Sequence, residues 1–475
     1  PRASRMEAER LSNREALLER ISSGCHELDG PKAVGVSASL AQLDSPVRIC
    51  LVGLGRAGAF HMQSLRFVGA RVAQLVCVVD TNLELARRTA TEFAASDCVA
   101  RATLEEVMAD VALAGRVDAI IIASTTDTHY GLCKLALSAS KATFTEKPIS
   151  HHAEEVDEVI CLAKAARAPL PAAAAKRREE DPEATTQGGC EQVPFLVGYQ
   201  RRCDRNFRAP RHCAAGGCQE PPNSRPGSLS VGALRDLIAD GALSSEPGRH
   251  GVRVIKCTSR DNPRPPEEYL RTSGGIFHDM LSHDFDMIHF LTGEIPDEVF
   301  TVGHCYDPAI AALDDVDTVV VTLRYASGLL ATVDSSRVAA YGYDQRVEVF
   351  GERGMLTAQN ESRHTVELAT AAGHLRPCTE WSFPERYRHT YTVELTEFLN
   401  MVRNEPPLVE EDRLVERHAL LGQERRGAAY VAGASLCAEW LGTRCSAPSR
   451  AQRSGAGGRG ATSSLQRWRE AEGRA

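Results

Sequence analysis

Val47-Arg48-Ile49-Cys50-Leu51-Val52 runs straight into Gly53-Leu54-Gly55-Arg56-Ala57-Gly58. An apolar run that ends in GxGxxG, with a helical pattern behind it, reads as strand, tight turn and helix, the helix N-terminus receiving a pyrophosphate. Gly53 permits the turn, Gly55 lets a phosphate approach the backbone, and Gly58 lets helix pack on strand. Arg56, beside Ala57 in the same loop, reads equally as lying over the pyrophosphate or as solvated. Further apolar runs at Arg71–Val79 and Ala119–Ala123 alternate with helical patterns at His61–Val68, Leu83–Phe93, Leu104–Leu113 and Thr128–Ser138. That alternation predicts βαβ units and a parallel sheet buried on both faces. The second run ends at Asp80, 22 residues past Gly58. A carboxylate there accepts from both ribose hydroxyls and repels a 2′-phosphate. No arginine stands at 81 or 82, so NAD is expected rather than NADP.

The remaining chain sets the frame. Its 475 residues, 43% hydrophobic and 25% charged, suit two to three globular domains. No apolar stretch reaches the ~20 residues of a membrane span. A net charge of −8 argues against nucleic-acid binding through an overall positive surface. The fifteen cysteines are scattered with no CxxC, which predicts reduced thiols, no metal site and a cytoplasmic protein. No apolar core follows basic residues at the amino end, so no secretory signal is expected, and Pro1 in first place points to a missing true start.

Residues 1–46 read as an N-terminal extension, 47–171 as the cofactor domain and 172–194 as a charged inserted loop. Residues 195–445, with a second insertion at 209–231, read as an α+β domain on an open mixed or antiparallel sheet. This domain is expected to serve substrate binding and subunit contact in a homo-oligomer, a dimer or tetramer. The Gly/Ser/Arg-rich stretch 446–475 reads as a disordered tail. The fold class is therefore α/β with a doubly wound N-terminal domain.

Three further clusters carry chemistry. Ser124, Thr125, Thr126 and His129 follow the Ala119–Ala123 strand, where hydroxyls can meet the nicotinamide ribose; His129 can do so too, or cap the next helix. Glu146-Lys147-Pro148 follows a fourth strand, placing an ammonium where it can stabilise an alkoxide. Gly274 to Asp286 opens with a glycine pair and continues as a helix. Asp279 and His283 are i and i+4 in it, so the carboxylate is expected to orient the imidazole as a base for an alcohol proton.

In this order and spacing, Gly53–Gly58, Asp80, Glu146–Pro148, Val197–Arg202 and Gly274–Asp284 resemble the Gfo/Idh/MocA oxidoreductase family. Tyr341-Gly342-Tyr343-Asp344 is similar to a segment of its inositol-oxidising members. The resemblance implies NAD-dependent oxidation of a cyclitol or sugar alcohol, most specifically of myo-inositol to its 2-ketone. It implies that Lys147, Asp279 and His283 form a catalytic trio, with either Lys147 or His283 as the proton acceptor. It also implies that Arg201, Tyr341 and Tyr343 contact substrate. Another sugar or polyol dehydrogenase, or a non-enzymatic NAD sensor on the same fold, are the alternatives.

Overall fold

The computed structural model describes residues 46–93, 97–169, 190–207 and 233–403. The arm, the second insertion and the tail therefore lie outside the described residues. Six parallel strands form the first sheet: β1 (Val47–Val52), β2 (Ala73–Val79), β3 (Val99–Arg101), β4 (Ala119–Ile122), β5 (Ala142–Glu146) and β6 (Phe195–Gly198). Their order is β3-β2-β1-β4-β5-β6. Ala119–Ile122 is buried at every position, as a strand covered on both faces requires. Helices α1 (Arg56–Val68), α2 (Leu83–Glu92), α3 (Leu104–Ala109), α4 (Thr126–Ser138) and α5 (Ala153–Ala165) supply the crossovers. The order reverses between β1 and β4, and there the carboxyl ends of the strands open a crevice.

The second sheet is mixed. It contains β7 (Val252–Arg260), β8 (Pro296–His304), β9 (Thr318–Tyr325), β10 (Leu330–Ser336), β11 (Asp344–Gly351) and β12 (Met355–Ala358). The order is β8-β9-β10-β7-β11-β12, antiparallel throughout except where β10 runs beside β7. One face packs on the short helix α6 (Leu234–Ala239) and on α7 (Ser282–Thr292), burying Ile255, Val321, Val333 and Val349 against Phe285 and Ile288. Among the described residues, no helix is long and apolar enough to cross a membrane.

Three boundaries differ from the sequence reading. Phe195–Gly198 pairs with β5 in the first sheet, not the second domain. The last described helix, α8 (Arg388–Arg403), buries Leu395, Phe398 and Leu399 in the core of the first sheet. Cys190–Gln192, placed within the first inserted loop, instead pairs antiparallel with Arg167–Pro169. Each of these contacts joins distant stretches of chain, which local periodicity does not encode.

Candidate active site

One cleft of about 930 Å³ runs from the glycine loop to the helix that follows Gly275. Every residue singled out above lines it, except Gly58 and Tyr341. At the cofactor end the glycines behave as the fingerprint requires. Gly53 has φ +88°, and a Cβ on it would sit 2.5 Å from the Ser124 nitrogen. A Cβ on Gly58 would lie 2.1 Å from the Gly53 carbonyl oxygen, whereas one on Gly55 would meet nothing within 4 Å. Space is thus kept open at Gly55, beside the uncapped N-terminus of α1, where a pyrophosphate belongs.

The Asp80 carboxylate accepts from Leu54 N–H at 2.9 Å and Asn82 N–H at 2.8 Å, fixing it beside the loop with lone pairs left for a ribose. Ser124 Oγ lies 2.6 Å from Thr128 Oγ1, which donates to the Thr125 carbonyl. Arg56 remains exposed, and its guanidinium also stacks on the rings of Tyr269 and Phe383, 4.7 and 5.1 Å from their centroids. Glu146 is paired with the buried His61 at 2.7 Å.

His129 corrects its assignment as a ribose ligand. It is 1% exposed, with Nδ1 2.8 Å from the Pro148 carbonyl and Nε2 3.1 Å from the Ser124 carbonyl. A neutral ring donates to one of these and a protonated ring to both. Either way the nitrogens are occupied, and His129 ties the end of β4 to the Lys147–Pro148 turn.

At the other end, the Lys147 ammonium donates to the Asp279 carbonyl at 2.6 Å and lies 3.6 Å from its Oδ1. Asp279 does not orient His283. Its Oδ1 accepts from the Tyr269 hydroxyl at 2.6 Å and its Oδ2 from Arg337 at 2.9 Å. The physical reason is local: Phe277–Leu281 is wound as a π turn, so the α-helical i, i+4 geometry assumed from spacing does not apply. Burial pushes the Asp279 carboxyl up, but Lys147 and Arg337, with the Tyr269 hydroxyl, hold it below the usual carboxylate range. His283 stands edge-on to Tyr199, and its Nδ1 is buried with no hydrogen-bond partner. Burial, then the facing charges of Lys147 and Arg201, keep its imidazole well below the ordinary value, so the ring is neutral near pH 7.

Arg201 is almost wholly buried. It donates to Asp284 at 2.8 Å, to Ser259 at 3.1 Å and to the Tyr343 hydroxyl at 3.4 Å. Tyr343 lines the cleft; Tyr341 does not, being 48% exposed and held outward between Asp344 and Arg260. The tyrosines precede β11 in a turn through Gly342, at φ +116°, and so do not share a strand face. Asp261 also lines the cleft, and burial and Asp279 push its carboxyl up to about 6. Sequence reading passed over Asp261, Tyr269 and Arg337, none of which sits at a spacing that marks it, and gave Asp284, at the end of the Gly274–Asp284 stretch, no role.

A family model described as "Oxidoreductase family, NAD-binding Rossmann fold" matches residues 47–171, and one for the GFO/IDH/MocA C-terminal domain matches 231–357. The chain is 34% identical to myo-inositol 2-dehydrogenase of Thermotoga maritima over 367 residues, 76% of this chain and 90% of that one. The chain belongs to the Gfo/Idh/MocA oxidoreductase family. Inositol 2-dehydrogenase of Rhizobium meliloti is also 34% identical, over 74% of this chain and 88% of its own. A crystal structure of a probable dehydrogenase from Thermotoga maritima superposes with TM-score 0.63 at 31% identity, covering 83% of this chain and 97% of that one. As a member, the chain is an NAD-dependent oxidoreductase, and its open Gly55, its pinned Asp80 and the helix N-terminus between them fit that cofactor.

Proposed function

We propose that the protein oxidises a secondary ring hydroxyl of a cyclitol, myo-inositol foremost, to the ketone. The observation that carries this reading is the convergence of Lys147, His283, Arg201 and Tyr343 on one cleft that also contains the glycine loop. NAD, when bound, accepts the hydrogen on carbon together with its electron pair. His283, neutral and buried, takes the hydroxyl proton. Lys147 holds the oxygen and stabilises its developing charge. Asp279 positions Lys147. Arg201 and Tyr343 bind the other hydroxyls of the ring. The inositol-dehydrogenase names of the two relatives above support the substrate class.

We further propose a homo-oligomer working in a reducing, cytoplasmic compartment. Phe300, Val302, Val320 and Phe350 leave an exposed apolar surface on the second sheet, which supports self-association. Cys50, Cys77, Cys133 and Cys257 are buried free thiols, and Cys161 and Cys378 are exposed ones. The test of the reaction is absorbance of reduced nicotinamide with NAD and a panel of inositols, sugars and linear polyols. Turnover of cyclitols ahead of linear polyols is expected; no reduction of NAD with any of them overturns the reading.

A further inference from the structure

Arg337 follows β10 and is completely buried, yet it is not among the residues that line the cleft. A guanidinium taken out of water is costly unless carboxylates answer it, and here two do. Nη1 donates to Asp279 Oδ2 at 2.9 Å and Nη2 to Asp315 Oδ2 at 3.2 Å. Asp315 is itself fixed at the head of the helical segment. Its Oδ1 accepts from Ile276 N–H at 3.2 Å and Val316 N–H at 2.9 Å, and it fills the space where a Cβ on Gly275 would come within 3.1 Å. The planar fork of Arg337 therefore bolts the glycine pair to the carboxylate one turn further on. We propose that Arg337 is a positioning residue for the reaction: it holds Asp279 beside Lys147 and divides its own charge between Asp279 and Asp315.

The inference rests on the reading of Lys147 and Asp279 as members of the reacting cluster. The groups facing Asp279 are Lys147 from the turn after β5, Tyr269, Arg337, and Asp261, which repels it. Removing the Arg337 charge takes away one of its two cations, so Asp279 protonates more easily. Removing the Asp315 charge leaves more of Arg337 for Asp279, which then protonates less easily. The two changes act in opposite directions, and general loosening of the fold does not predict that.

The test uses the full chain and carbodiimide coupling, which attacks the protonated acid, mapped to Asp279 by mass spectrometry across pH. Relative to wild type, the labelling midpoint rises by about one to two units in Arg337→Met. It falls by roughly half a unit in Asp315→Asn, whose amide oxygen keeps the backbone bonds. Arg337→Lys, which keeps the charge, restores most of the shift. The acid limb of kcat/KM moves with the midpoint in each variant, and kcat falls more than KM rises. Midpoints that stay put, or that move the same way in Arg337→Met and Asp315→Asn, overturn the proposal. Should Arg337→Met fail to fold, Asp315→Asn decides alone: a midpoint that stays or rises is fatal. The labelling needs neither substrate nor cofactor, so a failure of the dehydrogenase reading, with no polyol reducing NAD, is told apart from a failure of this one.

Discussion

Lys147 and Asp279 meet across 132 residues of chain, the ammonium donating to the Asp279 carbonyl at 2.6 Å and lying 3.6 Å from its carboxylate. This contact joins the end of the first sheet to the helix packed on the second. It puts a cation in a partly dry cleft, where charge acts more strongly than in water.

Lys147→Ala therefore lowers kcat by roughly 10²–10³. The glycine loop and Asp80 are untouched, so NAD binding, followed by fluorescence titration, stays close to wild type. Turnover equal to wild type refutes an electrostatic role for the ammonium.

His283→Gln removes the neutral base and costs roughly 10²–10⁴ in kcat. Because burial, Lys147 and Arg201 hold the His283 imidazole well below its ordinary value, its proton is already gone at neutral pH. Oxidation by the wild type consequently shows no inflection near pH 6.5 from this group, and a His283→Gln enzyme with wild-type rate removes it from the mechanism.

The same depression is linked to stability. Burial, then His151 and Lys147, lower His278 to about 4, and burial lowers His129, His151 and His283 as well. Groups whose folded pKa lies below the unfolded value near 6.5 contribute stability above that pH and lose it as pH falls. Asp261, raised to about 6, and Asp284, Glu380 and Glu394, each raised chiefly by burial, act in the opposite sense, but His389 is lowered by burial too, so five histidines stand against four carboxyls. The melting temperature is expected to fall between pH 7 and pH 5, and less steeply in His278→Gln. A flat or rising profile contradicts the assignment.

Gly55→Ala and Gly58→Ala should separate. A methyl at Gly55 meets no protein atom, so melting changes little, while the space for the pyrophosphate shrinks and the Kd for NAD rises. A methyl at Gly58 falls 2.1 Å from a backbone oxygen, so α1 must shift and both folding and binding suffer. Calorimetry and cofactor titration on both variants check this; equal melting losses would contradict it.

Tyr343→Phe is expected to raise the KM for the polyol several-fold, because its hydroxyl faces Arg201 inside the cleft. Tyr341→Phe loses only a half-exposed bridge between Asp344 and Arg260, worth about 1 kcal/mol or less. Michaelis curves for the two variants test it, and a KM rise with Tyr341→Phe alone reverses the assignment.

The parallel sheet, the glycine loop, the acid closing β2 and the crevice at the strand ends were legible in the amino-acid order, because each is a local pattern. Apolar runs, glycine spacing and the distance from Gly58 to Asp80 are set within about thirty residues of chain. The partners of the reacting groups were not legible. An i, i+4 spacing suggested that Asp279 serves His283, but a π turn sends its carboxylate to Lys147, Tyr269 and Arg337 instead. The YGYD segment looked like two equivalent tyrosines, but the turn through Gly342 puts one in the cleft and one outside. His129 looked like a ligand until both its nitrogens met backbone carbonyls. In each case the deciding contact came from local winding or from chain brought in over long range. Only the folded packing, which must answer every buried charge with another, settled which residues pair.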